Sequence, residues 1–382
     1  MSATPPPDAA PASDPSADAG SDAQPSRERL TRRDVLRRAS IAGAFAVGGG
    51  VLGHELIPHR HADAAAGGHA GALGASGVGG GYATGTPPPG PVSGAAGVPS
   101  GLYGHHAGPP TSLRETDLDA CTYPPAFDGR SPGVTRDYDL SVTSRQIAVA
   151  HDTVVDAWAY DGSVPGPILR ATEGDRLRIR MANLTAHAHN VHLHGRHDPA
   201  MDGWEPIPAG EEFTYELTAA PFGLHPYHCH TSPITEHVGR GLYGAMIVDP
   251  PGGRPPAKEV VLILGGWDLD GDGRNDLVCF NGIAGAYHRF PITVEVGALV
   301  RVYLVNLLEH DPIASFHLHA QTFDVYRSGT SLEPDAHTDV VALSQGERAI
   351  VEFRLPERGR YMFHPHQSRL ADRGAMGWFA AV

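Results

Sequence analysis

The sequence is poor in cysteine and in positive charge. Its 382 residues include three cysteines, too few for the disulfide framework of a small secreted domain. Its 29 Lys and Arg stand against 43 Asp and Glu, and the resulting formal charge of −14 argues against a nucleic-acid partner, because such partners bind basic surfaces. The body of the chain has no run of about 20 apolar residues, so we predict no membrane span in the mature protein.

The first third of the chain lacks the apolar residues that a packed core needs. In the predicted leader, residues 1–66, Arg32 and Arg33 precede Leu36 and a modest apolar run, which resembles a twin-arginine export signal. A basic tail with no targeting role is the alternative. We expect export to the cell envelope or the extracellular space. Residues 67–135 are rich in Gly, Ala and Pro, and we assign them to a disordered linker and an N-terminal extension.

Beyond residue 136 the sequence has short strand-like runs between turn residues. Runs such as 138–142, 178–181 and 212–217 are typical of an all-β sandwich. No long stretch has the periodicity of a helix, although the segment 231–237 has room for one helical turn.

The strand pattern occurs twice. Residues 173–184 resemble residues 295–307 in character, and a His-Leu-His triplet follows each copy. A period this long indicates duplicated domains rather than a solenoid. We predict two tandem sandwich domains at 136–250 and 257–382, which the Pro- and Gly-rich segment 250–256 separates.

Each predicted domain contains two H-x-H triplets. In an extended strand the side chains alternate between faces, so both imidazoles of a triplet lie on one face. One triplet alone is equally typical of a surface strand or a zinc site, but four in duplicated register favour a multinuclear metal site. The pairs are His192 and His194, His228 and His230, His317 and His319, and His364 and His366.

The two copies differ at one position that matters for metal chemistry. Cys229 lies inside the second pair of the first domain, where the second domain has Pro365. A site that combines a thiolate with imidazoles, the ligand set of blue copper, can therefore form only in the first domain.

These motifs resemble those of the multicopper oxidases, specifically the two-domain laccase-like members built from cupredoxin-like Greek-key β-sandwiches. The resemblance covers about residues 136–382. It implies four coppers per chain: one type 1, one type 2 and two type 3. The implied reaction couples one-electron oxidation of phenolic, aromatic amine or metal-ion donors to the four-electron reduction of O₂ to water.

The resemblance also implies a ligand set for the type 1 copper. The ligands would be His189, Cys229 and His237, and electrons would enter through an exposed edge of His237. The usual weak axial methionine is replaced by Leu242, which cannot coordinate and should raise the reduction potential.

The remaining paired histidines would hold a trinuclear cluster. By resemblance, His192 and His317 would bind the type 2 copper. Asp202 stands where family members carry an acidic residue near that copper, so it is either a proton relay or a plain turn aspartate. The type 3 pair would be bound by His194, His228, His230, His319, His364 and His366.

The family resemblance implies a homotrimer, with trinuclear sites at the subunit interfaces and O₂ and a small reducing substrate as partners. One alternative is a copper nitrite reductase, which would use a lone type 2 copper and leave five paired histidines without a role. Another is a non-catalytic copper-binding electron-transfer protein, for which one site would suffice.

Two smaller features stay open. The segment from Asp268 to Asp276 resembles a calcium loop, but Cys279 occupies its twelfth position, where such a loop has glutamate, so a tight Asp/Gly turn is the alternative. A disulfide between Cys121 and Cys279 is permitted in an exported protein, although sequence cannot establish the required distance.

Overall fold

The computed structural model describes residues 108–129 and 132–382, which form two β-sandwiches in succession along the chain. The segment with the predicted export signal lies outside the described residues. Within the described part of the chain, no helix is long and apolar enough to cross a membrane. The prediction of two tandem sandwiches is confirmed.

The first sandwich consists of two four-stranded sheets, with strand orders β2-β1-β4-β6 and β3-β8-β7-β5. On β4, Leu177, Ile179 and Met181 are buried while Arg178 and Arg180 reach solvent, the alternation expected of a strand with one face on a core. The strands are β1 (Thr135–Ala150), β2 (Thr153–Tyr160), β3 (Leu169–Thr172), β4 (Arg176–Asn183), β5 (His192–Leu193), β6 (Glu212–Thr218), β7 (Gly223–His228) and β8 (Tyr243–Asp249).

The second sandwich has a six-stranded sheet, β10-β9-β12-β17-β14-β15, and a five-stranded sheet, β11-β19-β18-β13-β16. Its strands are β9 (Lys258–Trp267), β10 (Leu277–Phe280), β11 (Ile292–Val294), β12 (Leu299–Asn306), β13 (Ile313–Leu318), β14 (Phe323–Arg327), β15 (Ala336–Thr338), β16 (Val340–Ser344), β17 (Arg348–Arg354), β18 (Gly359–His364) and β19 (Gly377–Ala381). Short helices connect them and the first sandwich: α1 (Asp119–Thr122), α2 (Ile234–Gly239), α3 (Ala286–Arg289) and α4 (Ser368–Asp372), with 3-10 turns at Glu115–Asp117 and Pro199–Met201.

The same pairing pattern occurs in both sandwiches. The first strand of each pairs in parallel with the fourth, β1 with β4 and β9 with β12. The strand carrying the first histidine pair runs antiparallel to the strand that leads into the second, β5 to β7 and β13 to β18. The duplication read from the sequence is therefore a duplication of topology.

Strands β9 and β12 are apolar on both faces, which explains their nearly continuous hydrophobic runs. Val260 and Leu262 pack into the core of the second sandwich, whereas Val261 and Ile263 join a cluster with Leu224 and other residues of the first sandwich. A strand that is covered on both sides loses the alternation of apolar and polar residues. The two sandwiches thus share an apolar interface.

Part of the segment predicted as linker and N-terminal extension is folded against the second sandwich. Leu113 and Leu118 belong to that sandwich's core cluster. The side-chain amide of Asn281 donates to the carbonyl oxygen of Cys121 at 3.1 Å, and the hydroxyls of Thr122 and Tyr287 are 2.6 Å apart. The predicted disorder is therefore wrong for residues 108–129, because apolar side chains and buried hydrogen bonds hold them.

The structure also bears on the two features that sequence left open. Cys121 and Cys279 are both free thiols. The Asp268 carboxylate accepts backbone N–H groups from Gly271, Asp272 and Gly273, which closes an Asp/Gly turn. Cation binding at this turn stays a prediction.

A buried network of charges crosses the boundary between the sandwiches. Arg170 of the first sandwich pairs with Asp249 and Glu259, each at 2.7 Å. Glu259 also accepts from Arg301 at 3.2 Å and from the Tyr303 hydroxyl at 2.6 Å. Burial opposes ionisation of Glu259, but hydrogen bonding to Arg170 and the charge of Arg170 outweigh it and lower the pKa of the carboxyl.

We predict that Glu259→Gln lowers the free energy of unfolding by about 2 kcal/mol, because Arg170 and Arg301 each lose one of their two carboxylate partners. Since the folded-state pKa of Glu259 is lowered, its contribution is present above the unfolded pKa of about 4.3 and is lost as pH falls through the folded value. Denaturant unfolding at neutral pH measures the effect. The control is Glu216→Gln in the exposed pair with Arg178, for which we expect a change below about 0.5 kcal/mol. Equal losses in the two variants would contradict the prediction.

Candidate metal centres

A compact site in the first sandwich is formed by one thiol and two imidazoles. The Nδ1 atoms of His189 and His237 lie 3.0 Å apart, and Sγ of Cys229 lies 3.9 Å and 3.2 Å from them. His189 precedes β5, Cys229 follows β7, and His237 lies on α2. All three residues are buried. The backbone N–H of Cys229 donates to the carbonyl oxygen of Leu242 at 3.0 Å, which anchors the loop that carries the thiol.

The electrostatics of this site suit a metal cation. Burial, together with the neighbouring His237, lowers the pKa of His189 to about 3, so its imidazole is neutral and able to bind a metal. Burial raises the pKa of Cys229, because an uncompensated thiolate is unfavourable there. A bound cation would supply the missing charge and displace the thiol proton. Two imidazole nitrogens and one thiolate form the trigonal set of a blue-copper site.

The first four paired histidines converge at one end of the first sandwich. His192 lies opposite His228 in the β5–β7 pairing, with ring centroids 5.3 Å apart. The Nε2 atoms of His194 and His228 are 3.2 Å apart. The ring of His230 lies 5.1 Å from that of His192. We call these residues the first quartet.

The second quartet repeats this arrangement in the second sandwich. His317 lies opposite His364 in the β13–β18 pairing, with ring centroids 5.5 Å apart. The Nε2 atoms of His319 and His364 are 2.9 Å apart, and the His366 ring lies 5.1 Å from that of His317. Three residues of each quartet are thus brought within range of a shared ion.

Backbone carbonyls orient half of these imidazoles. In a neutral ring whose Nδ1 donates, Nε2 keeps its lone pair, so these hydrogen bonds leave Nε2 free to bind a metal. Burial lowers the pKa of His194 to about 3 and that of His228 to about 4, which keeps both rings neutral. The Nδ1 donors and their carbonyl acceptors are His192 to Asp202 at 2.9 Å, His228 to Cys229 at 2.9 Å, His317 to Asp339 at 2.8 Å and His364 to Pro365 at 2.7 Å.

The two quartets stay separate within the chain. Among residues 108–129 and 132–382, every ring contact between paired histidines joins members of the same quartet. Among the paired histidines, the groupings close enough to hold an ion are likewise His192 with His194 and His228, and His317 with His319 and His364. One chain therefore presents two half-sites.

Asp202 lies against the first quartet. Its carboxylate oxygen Oδ1 is 2.9 Å from Nε2 of His197 and 3.4 Å from Nδ1 of His192. Its carbonyl accepts from the same His192 nitrogen. The Asp202 carboxylate thus lies directly beside His192, a member of the first quartet.

Three residues near the site carried no sequence motif. Asp339 holds His317 through its carbonyl, as Asp202 holds His192, but its distance from the H-L-H triplet differs, so alignment of the two copies does not reveal it. Trp158 contacts the rings of His189 and His237, with centroids 4.7 Å and 4.8 Å away. Trp204 contacts His230 at 5.4 Å.

His237 is nearly buried, with 5% of its surface exposed, and electron entry through its ring edge stays a prediction. The helical turn predicted near it is α2, which begins at Ile234 and buries His237 under the ring of Trp158.

Comparisons with known proteins agree with this architecture. Residues 141–253 and residues 266–382 each match a family model described as multicopper oxidase. A solved structure described as a multicopper oxidase is 40% identical, covers 70% of this chain and 97% of its own, and has a TM-score of 0.67.

Curated relatives point to two activities. The copper-containing nitrite reductase of Neisseria meningitidis is 28% identical over 275 residues, 64% of this chain and 71% of the reductase. Laccase-4 of Oryza sativa subsp. japonica is 30% identical over 212 residues, 46% of this chain and 36% of the laccase.

Tandem sandwiches that carry a Cys–His site and four histidine pairs define a copper-binding oxidoreductase. The two family matches together span most of the described residues, and the chain belongs to the multicopper oxidase family.

Leu242 is the residue that the sequence analysis assigned to the axial position of the thiol site. It is fully buried, and its backbone joins both flanking ligands, accepting from the Cys229 N–H and donating to the His237 carbonyl. Its side chain has no donor atom.

We predict that Leu242→Met lowers the reduction potential of the copper–thiolate site by about 60 mV or more, a tenfold change for a one-electron couple, because a thioether stabilises the oxidised ion. Leu242→Ile is the control, since it changes shape without adding a donor. Spectroelectrochemical titration of the visible absorption measures both. A potential that is the same in the Met and Ile variants would show that residue 242 does not face the metal.

Proposed function

We propose that this protein is a laccase-like oxidase that takes single electrons from phenols, aromatic amines or metal ions and reduces O₂ to water. The single observation that carries the proposal is the completeness of both quartets, with eight imidazoles in duplicated geometry. When bound, four coppers supply the four electrons that O₂ needs. The protein's own contribution is to keep the imidazoles neutral and oriented.

The ligand assignment follows from position. His189, Cys229 and His237 would hold the type 1 copper, and His192 and His317 the type 2 copper. Cys229 is covalently joined to His228 and His230, so a ligand of the first site is the chain neighbour of two ligands of the cluster. The type 3 pair would be held by His194, His228, His230, His319, His364 and His366.

The main rival activity is nitrite reduction. Relatives bear that name, and the Cys–His site is common to both activities. A lone type 2 copper, however, would leave most of the paired histidines without a metal, although the Nε2 atoms of His194 and His228 lie 3.2 Å apart and those of His319 and His364 lie 2.9 Å apart. A pure electron carrier would leave both quartets without a role.

Metal analysis combined with gas uptake separates these functions. We expect four coppers per chain, an intense visible copper–thiolate band, and O₂ consumption with 2,6-dimethoxyphenol but no reduction of nitrite by the anaerobic protein. Cys229→Ser is the control: it should abolish the band and the turnover while the cluster coppers remain. Two coppers per chain with nitrite reduction would contradict the oxidase.

We propose that Asp202 passes protons to the cluster. In Asp202→Asn the backbone tether of His192 remains but the proton-accepting carboxylate is lost, so we expect full copper content with O₂ reduction slowed about 100-fold. Re-oxidation of the fully reduced protein by O₂, followed across pH, measures this step. The matched control is Asp198→Asn in the neighbouring turn, which should be neutral. Unchanged re-oxidation in Asp202→Asn would leave Asp202 a turn residue.

We propose that the cluster forms between copies of the chain, the first quartet of one copy facing the second quartet of the next. Within one chain, no grouping close enough to hold an ion combines histidines of both quartets in the described residues. A head-to-tail contact between copies would bring the two quartets together, and such contacts close as a ring. A trimer is the ring that we propose.

We further propose that the Arg32–Arg33 segment directs export of the folded, copper-loaded protein.

Sedimentation of the copper-loaded protein should give the mass of three chains. Trp204, 65% exposed beside His230, lies at the half-site that the next copy would cover. We predict that Trp204→Glu dissociates the trimer, whereas Val154→Glu, at a similarly exposed position on β2, does not. A fully active monomer would contradict this assembly.

A further inference from the structure

The type 1 ligands are enclosed by one aromatic residue. His189 is fully buried and His237 nearly so, and the indole of Trp158 contacts both rings at 4.7 Å and 4.8 Å. Nε2 of His189 is buried without a hydrogen-bond partner. Trp158 and His237 each keep 5% of their surface exposed, so the exposed side chains that contact Trp158 border the type 1 ligands.

Two exposed side chains also contact this indole. The exposed His187 ring lies 5.0 Å from the ring of Trp158. The guanidinium carbon of Arg240 lies 4.7 Å from the Trp158 centroid, a cation–π geometry. The backbone fixes this contact, since the N–H of Trp158 donates to the carbonyl oxygen of Arg240 at 2.9 Å.

The Arg240 side chain remains available to a ligand. Arg240 pairs with the Glu236 carboxylate at 3.3 Å, and both side chains are nearly half exposed, at 46% and 45%. An exposed pair of this kind contributes about 0.5 kcal/mol, so a docking molecule displaces it easily.

Resting on the proposed oxidase function, we propose that His187, Trp158 and Arg240 form a face on which the electron donor docks. Trp158 is the contact through which the electron reaches His189 and His237. The face selects aromatic donors over metal ions. In the step, a phenol gives one electron to the copper held by His189, Cys229 and His237 and releases its hydroxyl proton to water. The products are a phenoxyl radical and a reduced copper.

The chemistry of the face decides the donor class. An aromatic ring finds an imidazole and a guanidinium plane to stack on, contacts worth about 0.5–1.5 kcal/mol each. A metal-ion donor would find one imidazole, that of His187, together with the positive charge of Arg240, which repels a cation.

The test is anaerobic reduction of the copper-loaded full chain by 2,6-dimethoxyphenol, followed by bleaching of the visible band at increasing donor concentration. In Trp158→Leu we expect the limiting rate to fall about tenfold, and in Trp158→Phe to recover most of it, because a ring is restored. In His187→Ala we expect the limiting rate to hold and the apparent Kd to rise about threefold. The control Trp378→Leu, in the second sandwich, should match wild type.

Two further readouts separate electron transfer from a structural effect. The visible spectrum and the reduction potential of Trp158→Leu should match those of the control variant Trp378→Leu within the experimental error. Copper-free protein should broaden the ¹⁹F resonance of 4-fluorophenol, and His187→Ala should reduce that broadening. The proposal would be overturned if Trp158→Leu kept the limiting rate of the wild-type protein. It would also be overturned if Arg240→Gln accelerated the oxidation of Fe²⁺ and of phenol equally. If the loaded wild-type protein showed neither the visible band nor O₂ uptake, the oxidase function itself would fail instead.

Discussion

Strand register is the constraint on which the metal chemistry depends. In each H-L-H triplet the middle leucine, Leu193 or Leu318, is buried in the sandwich core, and the residues paired with them, Tyr227 and Phe363, are fully buried as well. Because side chains alternate, burying the leucine forces both flanking imidazoles onto the opposite face. A shift of one residue would send the histidines into the core and the leucines to the metal. The hydrophobic core thus fixes the position of the ligands.

Backbone hydrogen bonds complete what register begins. Each strand-paired histidine of a quartet donates its Nδ1 to a nearby carbonyl, so the ring is held in the tautomer that leaves Nε2 free. Burial lowers the pKa values of His194 and His228, which keeps those two rings neutral. Because an imidazole binds metal through a lone pair, both effects act in the same direction. The ligands are organised before any ion arrives, although each chain holds them in two separate halves.

The sequence predicts what depends on local geometry and misses what depends on distant contacts. The H-x-H triplets, the unique Cys229 and the duplicated strand pattern are local, and each is found in the structure as expected. Trp158 reaches the ligands only through packing of β2 against residues far along the chain, and no spacing rule marks it. For the same reason the folding of residues 108–129 went unrecognised, because it follows from contacts with the second sandwich.

The central claim is that two chains share each cluster, and mixing of two defective variants tests it most directly. His194→Ala breaks the first quartet and His319→Ala breaks the second, so each variant alone should lack a complete cluster. In trimers assembled from equal amounts of both variants, a cluster is complete where an intact first quartet meets an intact second quartet. Because the two halves of each interface come from the two variants independently, about a quarter of the sites should regain O₂ consumption. If the mixture stayed as inactive as either variant alone, the cluster would lie within a single chain and the account would be wrong.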